Sequence, residues 1–541
     1  MYKLTLILCL SCFSVYLNAQ FIERYDHFQV QWGEMNRFGG NVKGFFDVDK
    51  TNFSVIVDRS PFNVLGSKRS KIRIKNYLNF KLKDAGDVLL RGQDKRVRLL
   101  GVLDIGNHAV AFTSRRNIWK RSHTNFFHKF NHFNTNETIL GEEFSKYIYP
   151  YGFNFTGQID FTASENEKYG AAFYIIPSRI DEYISMGFLL FDDQNHKIKQ
   201  KIHLLPYKQY EITIRDQFLT DQGDYFLIAE HYFRRDPFRN WSRNNRSSDR
   251  IKILHATDDQ FEELPLNQEN FVMKSLALDM DQDGYLVGSG FYADIINGNV
   301  RGTFFLKYDV KNKKLITLQK NTLSQEMISQ ESIYFDRNIL FSNRTRFGRS
   351  LNNFNQFTIN FFKPTADGGY IAVAEQVEVE FKSTDQENSE TRRTNYDEYY
   401  FHNDLIVFKM NAKGGIEWVD RIPKYQQSKN DGGYFLSTIE FLTDKKIHIF
   451  FNDHRKNYDE QGDFLEMGRL RPSTLTRRNN VVAGVTIDLK NGAMSRKRLE
   501  GRNTHRTVLV PKVSRPNFQD NTLLIYANHG RKHRFGKIAF F

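Results

Sequence analysis

The stretch DQDGYLVGSG, residues 281–290, decides how this chain folds, because its pattern returns. DQGDYFLIAE at 221–230, ADGGYIAVAE at 366–375 and QDNTLLIYAN at 519–528 repeat it: Asp, Gly and Asn lead straight into aromatic and aliphatic residues. Gly, Asn and Asp tolerate the positive φ of a tight turn, and Asp or Asn side chains close such turns on the backbone. The run that follows suits a strand. Weaker copies begin their strand near Phe53, His108, Tyr169 and Ile447. The first strand residues of all copies are 53, 108, 169, 225, 285, 370, 447 and 523, with spacings of 55 to 85 residues.

Each copy carries the same neighbours. An apolar run precedes the turn, as in SLALD at 275–279 and FTINFF at 357–362. A third run follows after a loop, as in KIRIK at 71–75, GFLLF at 187–191, TFFLKY at 303–308, DLIVFK at 404–409 and VVAGVTI at 481–487. A more polar fourth comes next, as in KLITL at 314–318 and GIEWVDR at 415–421. Four strands per unit, short turns and a polar outermost strand describe a β-propeller blade. The expectation is an all-β chain forming a single β-propeller of eight four-stranded blades. Seven blades are the alternative, because the first three copies diverge. The repetition argues against a pair of β-sandwich domains.

The ends supply a further expectation. The last copy has only three strands, VLVP at 508–511, TLLIY at 522–526 and FGKIAFF at 535–541, while HFQVQWGE at 27–34 precedes the first copy as a spare. Residues 27–36 are expected to complete the last blade, 507–541, and close the ring, which removes an aggregation-prone edge.

Composition bounds the rest. The 541 residues are 40% hydrophobic, 26% charged and 15% aromatic, a globular balance. Residues 1–19 pair a basic Lys3 with an apolar run ending in Asn18-Ala19, which reads as a signal peptide; the propeller is assigned to 20–541. The run is shorter than the roughly 20 apolar residues that span a bilayer. No second stretch of that length follows, so no transmembrane segment is expected in the mature chain. Cys9 and Cys12 both lie in this leader, which excludes a disulfide-stapled scaffold. Lys+Arg number 77 against 63 Asp+Glu, a net +14 that becomes +13 once Lys3 is removed.

Together with the DGGY turns, several stretches carry a family resemblance: Trp32-Gly33, Phe191-Asp192-Asp193, Gly290-Phe291-Tyr292, residues 404–407, residues 430–434 and Arg534-Phe535-Gly536-Lys537. The chain resembles the uncharacterised secreted propeller-like proteins of Bacteroidota over nearly all of its mature length. The resemblance implies a propeller and a place in the periplasm or at the outer membrane. It implies no catalytic residues.

Candidate chemistry is sparse. Asp279, Asp281 and Asp283 before Gly284 resemble the opening of a calcium loop, but position twelve is Gly290 instead of a bidentate acid, so a hairpin turn competes with calcium. GSGFYA at 288–293 matches a dinucleotide glycine pattern inside a strand, with no helix to receive a phosphate; close packing explains its glycines better. His123, His128 and His132 form a cluster without an Asp or Glu partner. Glu142-Glu143 and Glu378/Glu380 read as solvated edge positions.

The basic residues say more. Three loops between second and third strands carry Arg115, Arg116, Trp119, Lys120 and Arg121; Arg234, Arg235, Arg239, Trp241, Arg243 and Arg246; and Arg531, Lys532 and Arg534. In a propeller these loops leave on one face, and arginine around an aromatic platform suits phosphate, carboxylate or sugar recognition. The expected function is therefore a non-enzymatic, exported binding or scaffold protein of the cell envelope. Its partner would be an envelope protein or an anionic glycan or glycolipid, not nucleic acid. The alternative is a carbohydrate-active propeller enzyme or glycan-binding protein, which in its enzymatic form needs two carboxyls at set separation.

Overall fold

The computed structural model describes residues 21–541 apart from 48–51, 59–70, 93–94, 107, 118–121, 132–136, 149–157, 177–181, 195, 209–210, 233–249, 258–259, 267–270, 296–297, 325–326, 328–356, 384–395, 466–469, 476–478, 500–506 and 519. The expected leader lies outside the described residues. The described residues are all-β, and their strands fall into seven sheets of mostly antiparallel neighbours. Among the described residues no helix is long and apolar enough to cross a membrane.

Five sheets are built on a four-strand meander in chain order. The clearest runs Ile159–Ala163, Tyr169–Ile176, Tyr183–Asp192 and Lys197–Lys208. Others run Ile212–Leu219, Tyr225–His231, Arg250–Ala256, Phe261–Glu263, and Thr438–Leu442, Lys446–His454, Asn480–Asp488, Met494–Leu499. The meander Ala277–Met280, Leu286–Ala293, Gly302–Asp309, Lys314–Thr322 gains a fifth strand, Val272–Met273. The meander Phe357–Pro364, Tyr370–Ser383, Tyr396–Met410, Ile416–Ile422 gains Gln426–Lys429. One nine-stranded sheet joins two meanders, 41–92 and 98–148, by parallel pairing of Thr138–Gly141 with Leu89–Gly92. The sequence gives no sign of that parallel weld. Numbered along the chain, these are units one to seven.

The last sheet unites the chain ends. Phe28–Trp32 pairs antiparallel with Lys532–Phe540, Val30 facing Ile538, beside Thr522–His529 and the short strands Val508–Leu509 and Arg515–Asn517. This is unit eight, and the pairing of residues 27–36 with the last unit is present. One detail differs from the expectation: Phe21–Arg24 adds a further strand outside Phe28–Trp32, so the closing strand is not the edge.

The first halves of the second strands are mostly apolar because both of their faces are covered. In Tyr370–Ser383, Ala372 and Ala374 pack with Val287 and Phe305 of unit five, while Ile371 and Val373 pack with Ile449 and Val485 of unit seven. Shared cores of this kind join every consecutive pair of units. A further one joins Tyr526 and Phe535 of unit eight to Phe45, Val55 and Tyr77 of unit one. The aromatic surplus sits largely in these seams. Gly290 serves close packing: a Cβ there would lie 1.8 Å from the Ser275 carbonyl oxygen.

Candidate functional site

The repeated turns are built by their own side chains. The Asp281 Oδ1 accepts from the backbone N–H of Asp283 (3.0 Å) and Tyr285 (2.9 Å), and Asp367 accepts from Gly369 (3.1 Å). Gly223, Gly284 and Gly368 hold φ of +91°, +79° and +79°, which a β-carbon would strain. The three aspartates considered for calcium are divided between two lysines. Lys307 Nζ lies 2.6 Å from Asp281 and 3.6 Å from Asp283, and Lys363 Nζ lies 3.1 Å from Asp279. Burial pushes the Asp279 carboxyl up to about 6, against the pull of Lys363. Among the described residues no three His, Cys, Asp or Glu side chains are grouped to hold a metal.

At the ends of the first strands, charges from distant units meet. The turn Ser164–Lys168 of unit three reaches three other units through three consecutive residues. Glu165 meets Lys363 of unit six at 2.5 Å. The Asn166 backbone N–H donates to Asp221 of unit four at 2.9 Å. Glu167, held at φ +58°, pairs with Arg515 of unit eight. Arg515 also pairs with Asp104 of unit two and donates to the Phe45 carbonyl of unit one at 2.9 Å.

Deeper along the first strands stand Asp160 and Asp216, on neighbouring units. Both are solvent-exposed, yet surrounding protein strips hydration from them and raises both carboxyls; the charge of Asp160 adds to the rise at Asp216.

A buried polar cluster fixes the link from unit six to unit seven. Glu375 accepts from Lys424 Nζ at 2.5 Å, Ser437 Oγ at 2.7 Å and Asn360 Nδ2 at 2.9 Å, with His402 Nδ1 at 2.8 Å. Burial alone would raise the Glu375 carboxyl, but Lys424 and His402 hold it well below the usual range. Beside it, Arg421 pairs with Asp404 at 2.7 Å, and Arg496 pairs with Asp453. Glu440, on the first strand of unit seven, is pushed up to about 7 by burial, with the Glu375 charge adding to the rise. Glu375, Asp404 and Arg421 lie in the repeated strand stretches, but nothing in those stretches marks them as partners; they are brought together by packing of separate segments. The NDGGY stretch at 430–434 lies in this link and is followed by further turn, not by a long second strand.

The structure disperses several other candidates. His128 is fully buried against Thr113 Oγ1 at 2.7 Å, and burial lowers its ring to about 4. His123 is buried and stacks on Tyr147, while His132 lies outside the described residues. Of the basic loop residues, Trp119, Lys120, Arg121, Arg234, Arg235, Arg239, Trp241, Arg243 and Arg246 lie outside the described residues. Arg115 and Arg116 end the second strand of unit two, with Arg116 exposed. Arg531 is exposed and Lys532 half-buried at the corresponding turn of unit eight. Arg534 corrects the reading of that loop. It is buried, lies 5.1 Å from the Trp32 ring and donates to the Gly33 carbonyl at 3.0 Å, so it ties the closing strand instead of facing a partner. It sits in the strand Lys532–Phe540, where His533 to Ile538 are all buried.

No family model and no curated protein matches the sequence. Among solved structures, the WD40 domain of SCAP from fission yeast is similar at a TM-score of 0.38 and 8% identity, over 96% of each chain. A protein of unknown function from Dyadobacter fermentans is similar at 0.32 and 9%, over 82% of this chain and 99% of that one. The β-propeller domain of the Trilobed protease from Pyrococcus furiosus is similar at 0.29 and 9%, over 73% and 95%. At these scores none of them bears on the reading of the site.

Proposed function

We propose that the chain is exported by residues 1–19 and that the remainder is one closed propeller of eight blades. It serves as a non-enzymatic binding or scaffold protein of the cell envelope. The eight shared cores, the last of which returns to unit one, support the ring. So do the ion pairs that join unit three to units six and eight.

The observation that carries the function is the exposure of Arg116 and Arg531 at second-to-third-strand turns, on a face that also carries Asp294 and the acids Glu378, Glu380 and Asp397 of the unit-six hairpin. Acids at the first-to-second-strand end are engaged by Lys307, Lys363 and Arg515 of the same chain. At the second-to-third-strand end, Arg116 and Arg531 face solvent. The partner is an envelope protein or an anionic glycan or glycolipid drawn to the arginines of that face. Alanine at Arg115, Arg116, Trp119, Arg239 and Trp241 together abolishes recovery of the partner from native envelope by the tagged protein, with the melting curve unchanged. Recovery at the wild-type level rejects this face. The carbohydrate-active alternative has its own test in the exposed carboxyls of Asp160 and Asp216: glycan hydrolysis that disappears in D160N/D216N supports it.

A further inference from the structure

We propose that the turn Ser164–Lys168 is a built-in plug. It closes one mouth of the axial space and leaves that space open only at the end carrying the basic second-to-third-strand turns. The proposal rests on the single-ring reading. The turn reaches farther than its equivalents. The equivalent turns around Asp281 and Asp367 spend their carboxylates on their own backbone and on lysines of the strands close by. The turn of unit three spends its own on Lys363 and Arg515, which belong to units six and eight. Partners on both sides require the turn to lie across the axis, not along its rim.

The local chemistry makes the turn stiff enough for that position. Its base is closed by Ser164 N–H on the Tyr169 carbonyl at 2.9 Å, and Ser164 Oγ donates to Asn166 Oδ1 at 2.8 Å. Asn166 Oδ1 also accepts from the Lys168 N–H at 3.0 Å, and its backbone leans on Asp221. Arg515 is gripped by two carboxylates and one carbonyl, which compensates its loss of water. Lys363 is shared between Glu165 and Asp279, so unit five joins the same knot. A ligand approaching along the axis meets this knot at one end and must enter by the other, past the basic turns.

Thiol access tests the plug. Cys9 and Cys12 are the only cysteines, so a C9S/C12S chain carrying Thr162→Cys has a single thiol on the first strand, just beneath the turn. Its reaction with a maleimide bearing a polyethylene glycol chain is timed with and without E165Q/E167Q. Removing both charges is expected to speed labelling by about tenfold or more. Equal rates overturn the plug. A thiol placed instead at Ala372, buried between units five and six, stays unlabelled in both backgrounds and so separates opening from unfolding. If the double variant unfolds, Glu165→Gln alone is judged by the same rates. Failure of the ring reading is distinguishable: V30C/I538C in the same background then forms no internal disulfide, whereas a ring that cross-links while Thr162→Cys keeps its rate rejects the plug alone.

Discussion

Lys424 and Glu375 have no exposed side-chain surface, and each compensates the other's loss of water. Removing one partner strands a buried charge. Lys424→Met is therefore expected to cost about 3–5 kcal/mol in denaturant unfolding. The double variant E375Q/K424M should lose less than the two single variants added together. Titration gives a second prediction at this scale. His128 and His448 are buried and held neutral, at about 4 and about 3. The unfolded chain takes up their protons near 6.5 and the folded chain does not. Stability therefore falls as pH drops from 6.5 toward 4, by about 1.4 kcal/mol per pH unit for each ring. H128N/H448N should flatten that slope, as read by unfolding at several pH values. Glu440 works in the opposite direction. Its carboxyl is raised from 4.5 to about 7, so its contribution is fully present below 4.5 and is lost as pH rises through 7. Glu440→Gln should accordingly be more stable than wild type at pH 8. None of these partnerships was legible in the sequence, because Glu375 and His448 are ordinary strand residues and Lys424 an ordinary link residue until separate units pack together.

At the scale of elements, the turn-and-strand pattern was legible because it is local. Second strands begin at Asn52, His108, Tyr169, Tyr225, Leu286, Tyr370, Lys446 and Thr522, each within one residue of the position read from the repeats. The reason is physical: Asp and Gly set the turn through their own side chains and φ angles, with no help from distant residues. The NDGGY stretch at 430–434 shows where that logic stops. The same turn residues are present, with Gly432 and Gly433 at positive φ, but the chain there is a link held by Gln426, Asn452 and Lys512. The pairing of Phe28–Trp32 with the last unit was legible from a count of missing strands. Its extra neighbour, Phe21–Arg24, was not, since four residues carry too little pattern. Deleting residues 21–36 uncovers one side of the last unit, including Ile538 and Phe540. A sharp fall in melting temperature, on the order of 10 °C or more, is expected for losing Phe28, Val30 and Trp32 together from one core. An unchanged melting temperature contradicts the role given to that strand.

For the whole molecule, part of the basic surplus is drawn into ion pairs between units. At the first-to-second-strand end Lys363 and Arg515 pair with acids of another unit, and at the second-to-third-strand end Arg116 and Arg531 are exposed. Those pairs were invisible in the sequence because Arg515 lies 348 residues from Glu167 and Lys363 lies 198 from Glu165. Everything in this account depends on the chain closing on itself as one ring through its first and last strands. Val30 and Ile538 face each other in that pairing, at a position where neither backbone exchanges ladder hydrogen bonds with the other and side chains stand close. The direct measurement is oxidation of V30C/I538C in the C9S/C12S chain, followed on non-reducing gels and by melting. The account predicts a full-length intramolecular disulfide and a melting temperature that falls again on reduction. Two free thiols after oxidation, open to alkylation in the folded protein, would contradict it.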